Sequence, residues 1–270
     1  MTHPIYHLDM RVAGCAVQFR VNDLPLGELS SVGPNKESFA PPMNPYLVGQ
    51  NNMVEVHVRP VFDPSGEPVD LSGASIEGAV VRAQKDEPVG PGEGDQITTF
   101  SFADELRERI RQAVEDEEEL ELPQMFVHLF DNDVVSFEAE LRDAEPFDDE
   151  DALRDYAIVI RDLVAAGDSA GLAAQMEAKV QAYAVAYDAE DSFIRDSLVE
   201  SLRDTILPAG PVTDFERDDV QLEALGGGRV WELRRPNGRP LVSTDPDPEG
   251  GSFQIPILVA PRDGGLQVVR

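Results

Sequence analysis

Hydrophobic and polar positions follow two different rhythms along the chain. In the first 145 residues apolar and polar side chains alternate, most clearly at residues 16–21, 53–58 and 75–81. A two-residue period is typical of strands that bury one face. Asn22 and Asp23 predict a hairpin turn, and residues 131–133 predict a second hairpin. Many short strands with Pro- and Gly-rich connections favour an antiparallel β-sandwich.

One helix is predicted to interrupt these strands, at about residues 101–116. Ser101 stands at the position of an N-cap, and Phe102, Leu106 and Ile110 then follow at helical spacing. The acidic run at residues 115–119 would lie at the helix C-terminus, where negative charge opposes the helix dipole. We therefore expect the helix to end there.

A helical rhythm replaces the alternating one near residue 150. Three amphipathic helices are predicted: one from Leu153 to a cap at Gly167, a second over residues 172–187, and a third over residues 194–206. From about residue 220 the period returns to that of strands, separated by glycine-rich turns. Helices followed by an antiparallel meander indicate an α+β domain. We expect the domains to be residues 1–145 and 150–270, with a charged boundary at residues 144–151.

The charge of the chain narrows the classes of partner. With 52 acidic and 22 basic residues, the net charge is −30 at pH 7. Nucleic-acid binding depends on cationic side chains that displace counterions, and anionic membranes attract the same groups. We therefore expect neither nucleic-acid nor membrane partners. An unidentified protein or small molecule is the expected partner, and cations or basic partners suit the charge best.

Cysteine usage and the N-terminal residues bear on location. Cys15 is the only cysteine, so no disulfide within the chain can form, and its apolar neighbours predict a buried thiol. The first residues lack the basic and apolar segments of a signal peptide. A cytoplasmic location is the expectation. Only three of the basic residues are lysines, and this arginine bias suits a bacterial protein with a GC-rich genome.

Two segments of the N-terminal half carry a family resemblance. Residues 17–27 read VQFRVNDLPLG, and residues 43–58 read MNPYLVGQNNMVEVHV. Together they resemble the N-terminal jelly-roll of family 2 glycoside hydrolases, although Asp23 replaces the usual Gly and Met53 the usual Leu. The resemblance implies a β-sandwich, in which Gly49 and Asn52 turn the chain into the next strand. The chain is too short for the catalytic barrel of that family.

The C-terminal half resembles the NTF2-like, or cystatin-like, superfamily of α+β cones. The resemblance rests on the helix from Tyr156 that ends in Ala165-Ala166-Gly167-Asp168, and on the closing turn and strand at residues 262–270. It implies a cone that hosts isomerases, dehydratases, dimerisation modules or ligand pockets. The fold alone therefore selects none of these activities.

Aromatic residues of the second half are the candidate ligand-pocket residues. Tyr156, Tyr183, Tyr187 and Trp231 are predicted to project into the cone, although aromatics on helix stripes also build ordinary cores. General acid–base chemistry often uses histidine. All four histidines, His3, His7, His57 and His128, precede the second domain, so no catalytic residue is assigned.

Acidic residues near residue 250 resemble the start of a calcium loop. Asp245, Asp247 and Glu249 occupy its first, third and fifth positions. Pro256 stands at the twelfth position, where the loop needs a bidentate Glu. We therefore favour an exposed turn, and we expect neither a metal nor a cofactor.

The sequence leaves three functions open. The leading hypothesis is a non-catalytic bacterial binding or interaction protein, with a ligand pocket or a homodimer surface in the C-terminal domain. The second is a small-molecule enzyme of the isomerase, dehydratase or hydrolase type, with a Tyr/Asp site in the cone. The third is carbohydrate binding by the β-sandwich.

Overall fold

A computed structural model describes residues 4–63, 65–85, 87, 89–246, 251–262 and 264–270 of the chain. It contains helices and antiparallel sheets, which confirms the α+β class. The chain divides into two compact units, Met1–Glu138 and Ala139–Arg270. Among the described residues, no helix has both the length and the apolar character required to cross a bilayer.

Two four-stranded antiparallel sheets build the N-terminal unit, with strand orders β4-β1-β6-β7 and β3-β2-β5-β8. The strands are β1 (Ile5–Ala13), β2 (Cys15–Val21), β3 (Leu24–Ser31), β4 (Glu37–Phe39), β5 (Asn52–Arg59), β6 (Ser75–Ala83), β7 (Asp95–Ser101) and β8 (Gln124–Phe130). Alternate residues of the central strands are fully buried, as the two-residue period requires. Rings from the two sheets meet at Phe19 with Phe39 and at Phe100 with His128.

The first predicted hairpin is confirmed, because β2 and β3 pair across Asn22 and Asp23, which have φ values of 51° and 67°. The second is wrong, since the residues that follow β8 form no second strand there. They make a single bridge, from Ser136 to Val48, and then helix α2 (Glu138–Leu141). The side chain of Asn132 accepts from the Gly49 N–H and donates to the Val135 carbonyl, which holds this segment outside the ladder.

Helix α1 (Ala103–Glu115) lies where a helix was predicted, but its cap differs from the prediction. Ser101 is the last residue of β7 and pairs with Glu77 of β6, so its backbone belongs to the sheet. Phe102 takes the N-cap position without a side-chain hydrogen bond. The ladder therefore continues to the residue immediately before the cap.

Helices precede a sheet in the C-terminal unit. The helices are α3 (Glu150–Ala165), α4 (Ser169–Ala174), α5 (Glu177–Tyr187) and α6 (Asp191–Ser201), which continues as a π-turn over Leu202–Ile206. Gly167, with φ of 66°, follows α3 as predicted. The second predicted helix is wrong as one element, because it is broken at Gln175 and Met176. The Gln175 carbonyl accepts from Val268 of the sheet instead.

The sheet of this unit has the order β14-β13-β10-β9, and two short strands form a separate pair. The strands are β9 (Gln221–Leu225), β10 (Val230–Arg234), β11 (Val242–Ser243), β12 (Gln254–Ile255), β13 (Ile257–Arg262) and β14 (Gly265–Val268). Leu153, Ala157 and Ile160 of α3 are buried in one cluster with Leu233 of β10 and Val259 of β13. Helix α3 is thereby fixed to the sheet.

Candidate functional site

A groove of about 520 Å³ lies between helix α3 and the hairpin of β13 and β14. Its walls combine apolar side chains with two carboxylates at the helix. The lining residues are Phe147, Asp149, Ala152, Asp155, Tyr156, Val159, Pro261, Gly264, Gly265 and Leu266.

The periodicity of α3 explains one wall of the groove. Asp149 caps the helix, since its carboxylate accepts the Ala152 N–H at 2.9 Å. Ala152, Tyr156 and Val159 then follow at intervals of four and three residues, which places them on one face. This stripe runs beside the core-facing stripe that begins at Leu153. A single helix therefore serves both the core and the groove.

The carboxylates give the groove an acidic edge. Asp155 accepts from the Arg217 guanidinium, which also contacts Asp151 at 2.8 Å. The hydrogen bond from Arg217 holds the pKa of Asp151 below its usual range. Asp149 adds its charge at the helix N-terminus, where the dipole favours an anion. The edge therefore presents oxygen acceptors beside an apolar surface.

Tyr156 brings a phenol to the groove, but its hydroxyl is engaged elsewhere. The hydroxyl donates to the Gln175 carbonyl at 3.4 Å, at the break between α4 and α5. Burial raises the pKa of Tyr156 to about 12. The phenol is therefore neutral near pH 7, and its ring is the part of this residue suited to contact a ligand.

Trp231 lies next to the groove rather than in its lining. Its indole Nε1 donates to the Phe147 carbonyl at 2.9 Å and to the Gly228 carbonyl at 3.2 Å. Phe147 belongs to the groove lining. The single tryptophan of the chain therefore contacts a groove residue through one hydrogen bond.

Tyr183 and Tyr187 lie on α5 and are not part of this lining. Their rings meet edge to face at 5.7 Å, and the Lys179 ammonium lies 5.4 Å from the Tyr183 ring. Burial, and then the neighbouring Tyr183, raises the pKa of Tyr187. The structure thus places two of the four sequence-predicted aromatics at or beside the groove, and pairs the other two on a separate helix.

The acidic turn near residue 250 falls largely outside the described residues, because Asp247 and Glu249 are not among them. Asp245 is described, and its carboxylate accepts from Arg235 at 3.1 Å. Within the part of the chain that the structure describes, no group of three or more His, Cys, Asp or Glu side chains is arranged to hold a metal ion.

The described histidines hold positions in the N-terminal unit. His7 Nδ1 lies 3.0 Å from the Ala40 carbonyl, and His57 Nε2 lies 3.3 Å from the Glu55 carboxylate. His128 is hydrogen-bonded to Thr98 Oγ1 at 3.0 Å, and burial lowers its pKa. His7 and His128 thereby contact other segments of the unit, whereas His57 contacts a residue of its own strand.

A second, polar cavity of about 230 Å³ was missed by sequence reasoning. It lies in the N-terminal unit, on the β4-β1-β6-β7 sheet, and is lined by residues of β1, β6 and β7. Its lining residues are Asp9, Arg11, Glu77, Gly78, Ala79, Gln96, Thr99 and Phe100. The available signal was the polar face of β1, where His7, Asp9 and Arg11 occupy alternate positions.

Comparison of the chain with models of protein families, with curated proteins and with solved structures found no match in any of the three.

Proposed function

We propose that the chain is a non-catalytic binding protein whose C-terminal unit binds a small molecule with an apolar body and a positive charge. The observation that carries this proposal is the groove along α3, in which apolar side chains lie beside two carboxylates. The apolar part of the ligand would contact Tyr156, Val159 and Leu266. Its cationic group would lie towards Asp149 and Asp155.

Size and charge support this choice of ligand. Pockets for small molecules commonly have volumes of about 300–1,000 Å³ and mostly apolar walls. The groove, at about 520 Å³, lies within that range. The net charge of −30 raises the local concentration of cations and lowers that of anions. An anionic amphiphile of the same shape would meet repulsion at the same edge.

The state of the polar groups supports binding over catalysis. A general acid or base works best with a pKa near the operating pH. The Tyr156 phenol has a pKa of about 12, and Asp155 is held by Arg217. The alternative, an enzyme with a Tyr/Asp site in this unit, would require these two residues to act on a bound substrate.

The folds of the two units are part of the same proposal. The N-terminal unit is proposed to be a β-sandwich, which is supported by two four-stranded sheets with buried alternate residues. The C-terminal unit is proposed to be an NTF2-like cone, which is supported by helices that precede a four-stranded antiparallel sheet.

Self-association as a homodimer remains a prediction that sedimentation velocity would test.

Trp231 fluorescence provides the test, because its indole is hydrogen-bonded to the groove residue Phe147. Three probes of equal chain length, octylammonium, octanol and octanoate, separate the apolar contribution from the charge. We expect saturable changes with affinity in the order octylammonium, octanol, octanoate. The advantage of the ammonium should shrink as salt is added, since exposed charges are screened.

Matched variants locate the binding site. Val159→Glu places a charge in the groove, whereas Val185→Glu does the same at an exposed valine of α5 outside it; these valines are 45% and 57% exposed. The first should abolish octylammonium binding and the second should not. Asp149→Asn with Asp155→Asn should reduce the preference for octylammonium over octanol about fivefold, as expected for about 1 kcal/mol of charge attraction. Equal binding of octanoate and octylammonium would contradict the proposal.

A further inference from the structure

We infer that the cavity on the outer face of the β4-β1-β6-β7 sheet is a binding site for a small neutral polyol. The cavity lies across β1, β6 and β7, on the face opposite the buried residues Leu8 and Met10. This site belongs to the N-terminal unit and is distinct from the groove of α3. The inference therefore stands independently of the proposed function.

A buried carboxylate with one unsatisfied oxygen carries the argument. Asp9 is 3% exposed and lines the cavity. Its Oδ2 accepts from Arg11 Nη2 and from the Gly92 N–H, both at 2.8 Å. Its Oδ1 is buried and accepts no hydrogen bond from any residue that the structure describes. A buried acceptor without a donor is costly, so a bound donor at this oxygen would be strongly favoured.

Two small residues beside Asp9 leave the space that forms the cavity. Asp9 lies opposite Ala79 in the pairing of β1 with β6, and the methyl group of Ala79 leaves room above the sheet. Gly92 approaches closely with φ of 87°, and a Cβ there would lie 2.6 Å from Arg11 Nη2. The loop that contains Gly92 can therefore cover the carboxylate without filling the cavity.

The charges around the cavity are balanced, which favours a neutral ligand. Arg11 pairs with Asp9, and Lys36 pairs with Glu77 at 2.7 Å. A further cation or anion would disturb two existing pairs. A hydroxyl group, in contrast, can donate to Asp9 Oδ1 and accept from a neighbouring donor.

The remaining polar lining suits a molecule that carries several hydroxyls. Gln96 offers both an amide donor and an acceptor, and Thr99 offers a hydroxyl. The volume of about 230 Å³ lies below the usual range for drug-sized ligands, so only a molecule of few heavy atoms fits. A polyol such as glycerol, erythritol or myo-inositol meets both conditions.

Saturation-transfer NMR on the full chain tests this inference with glycerol, erythritol and myo-inositol, and with ethylammonium as the cationic comparison. We expect saturable transfer to at least one polyol and none to ethylammonium. Asp9→Asn should weaken polyol binding about tenfold or more, because a hydrogen bond to a charged acceptor is lost. Asp95→Asn, at an exposed residue of β7, is the matched control and should leave binding unchanged.

A second variant keeps the test decisive if Asp9→Asn disturbs folding. Thr99→Leu fills the cavity from an exposed position of edge strand β7, and should also abolish polyol binding. Protection of the buried Cys15 thiol reports whether each variant retains the native unit. No saturable polyol signal, a preference for ethylammonium, or unchanged polyol binding in both folded variants would overturn the inference, and a bound water would then be the donor to Asp9.

Discussion

Asn52 is expected to be the polar residue on which the N-terminal unit most depends. It is fully buried and joins five partners, of which the Phe130 carbonyl, 3.4 Å from Nδ2, is the most distant. Its Oδ1 accepts from the Val48 N–H at 2.7 Å and from Asn22 Nδ2 at 3.1 Å. Its Nδ2 donates to the Gly49 carbonyl at 2.9 Å and to Asn132 Oδ1 at 3.0 Å. One side chain thus fixes the entry to β5 and the exit from β8.

The cost of Asn52→Ala follows from the partners that the change leaves without a hydrogen bond. Asn22 and Asn132 have other partners, in the Tyr46 carbonyl and the Gly49 N–H. The Gly49 carbonyl keeps the hydrogen bond from the Asn132 N–H at 2.8 Å, so of these partners only the Val48 N–H loses its acceptor, at about 1–3 kcal/mol. We therefore expect the free energy of unfolding to fall by about 2 kcal/mol, a substantial part of the about 5–15 kcal/mol typical of a domain.

Two single-copy residues allow each unit to be followed separately during urea unfolding. Cys15 is buried in the N-terminal unit, and burial raises the pKa of its thiol to about 11, so it should react with a thiol reagent only after unfolding. Trp231 reports the C-terminal unit. For Asn52→Ala, the Cys15 midpoint should fall by about 1 M, for a slope of about 2 kcal/mol per M. The Trp231 midpoint should not change.

Asn35→Ala is the matched control, because Asn35 is exposed in the same unit. Its midpoint should stay within about 0.3 M of the parent, as for most surface substitutions. A shift for Asn52→Ala no larger than that of the control would refute the reasoning. So would an equal shift of both reporters, since the effect would then not be confined to the network.

Two further predictions concern the C-terminal unit, followed by Trp231. The pKa of Tyr156 is about 12 when folded and about 10 when unfolded, so its contribution is complete below pH 10 and is lost as pH rises towards 12. Between pH 10 and pH 12, the stability of Tyr156→Phe measured by urea titration should therefore fall by about 2 kcal/mol less than that of the parent protein. Glu140→Gln removes the carboxylate 3.2 Å from the buried Arg270 guanidinium, and should cost about 2 kcal/mol in the same titration. Glu145→Gln, at an exposed glutamate, should cost almost nothing.

Local patterns predicted the elements that local forces determine. Alternation located the central strands, and Asn22 with Asp23 located a turn, because these residue types tolerate positive φ. The second predicted hairpin was wrong for a reason that alternation cannot show. Val135 and Phe137 are buried as a strand would bury them, but side-chain bonds of Asn132 decide the backbone path.

The break after α4 shows the same limit. Leu172, Met176 and Val180 continue one helical stripe, and all three are buried. The hydrogen bond from Val268 to the Gln175 carbonyl interrupts the helix, and its donor lies more than ninety residues away in the sequence. Periodicity indicates which side chains face the core, but it does not indicate which backbone carbonyls accept hydrogen bonds from outside the helix.

The candidate sites were predictable only in part. The aromatic candidates included Tyr156, which lines the groove, but the opposite wall comes from the β13–β14 hairpin about a hundred residues later. The polar cavity depends on the contact between Asp9 and Gly92, 83 residues apart. No local pattern indicates that such segments meet, so neither site could be assembled from the sequence.

The helices that follow the break at Gln175 differ from α3 in how many side chains they bury. Helix α6 contains no fully buried residue, and Val185 of α5 and Phe193 of α6 are both exposed. Helix α6 therefore has few buried side chains to oppose local opening, whereas α3 contributes several side chains to the core. Amide protons of α6 should therefore exchange with solvent long before those of α3. Changes of sequence in α6 can then accumulate at little thermodynamic cost to the sheet.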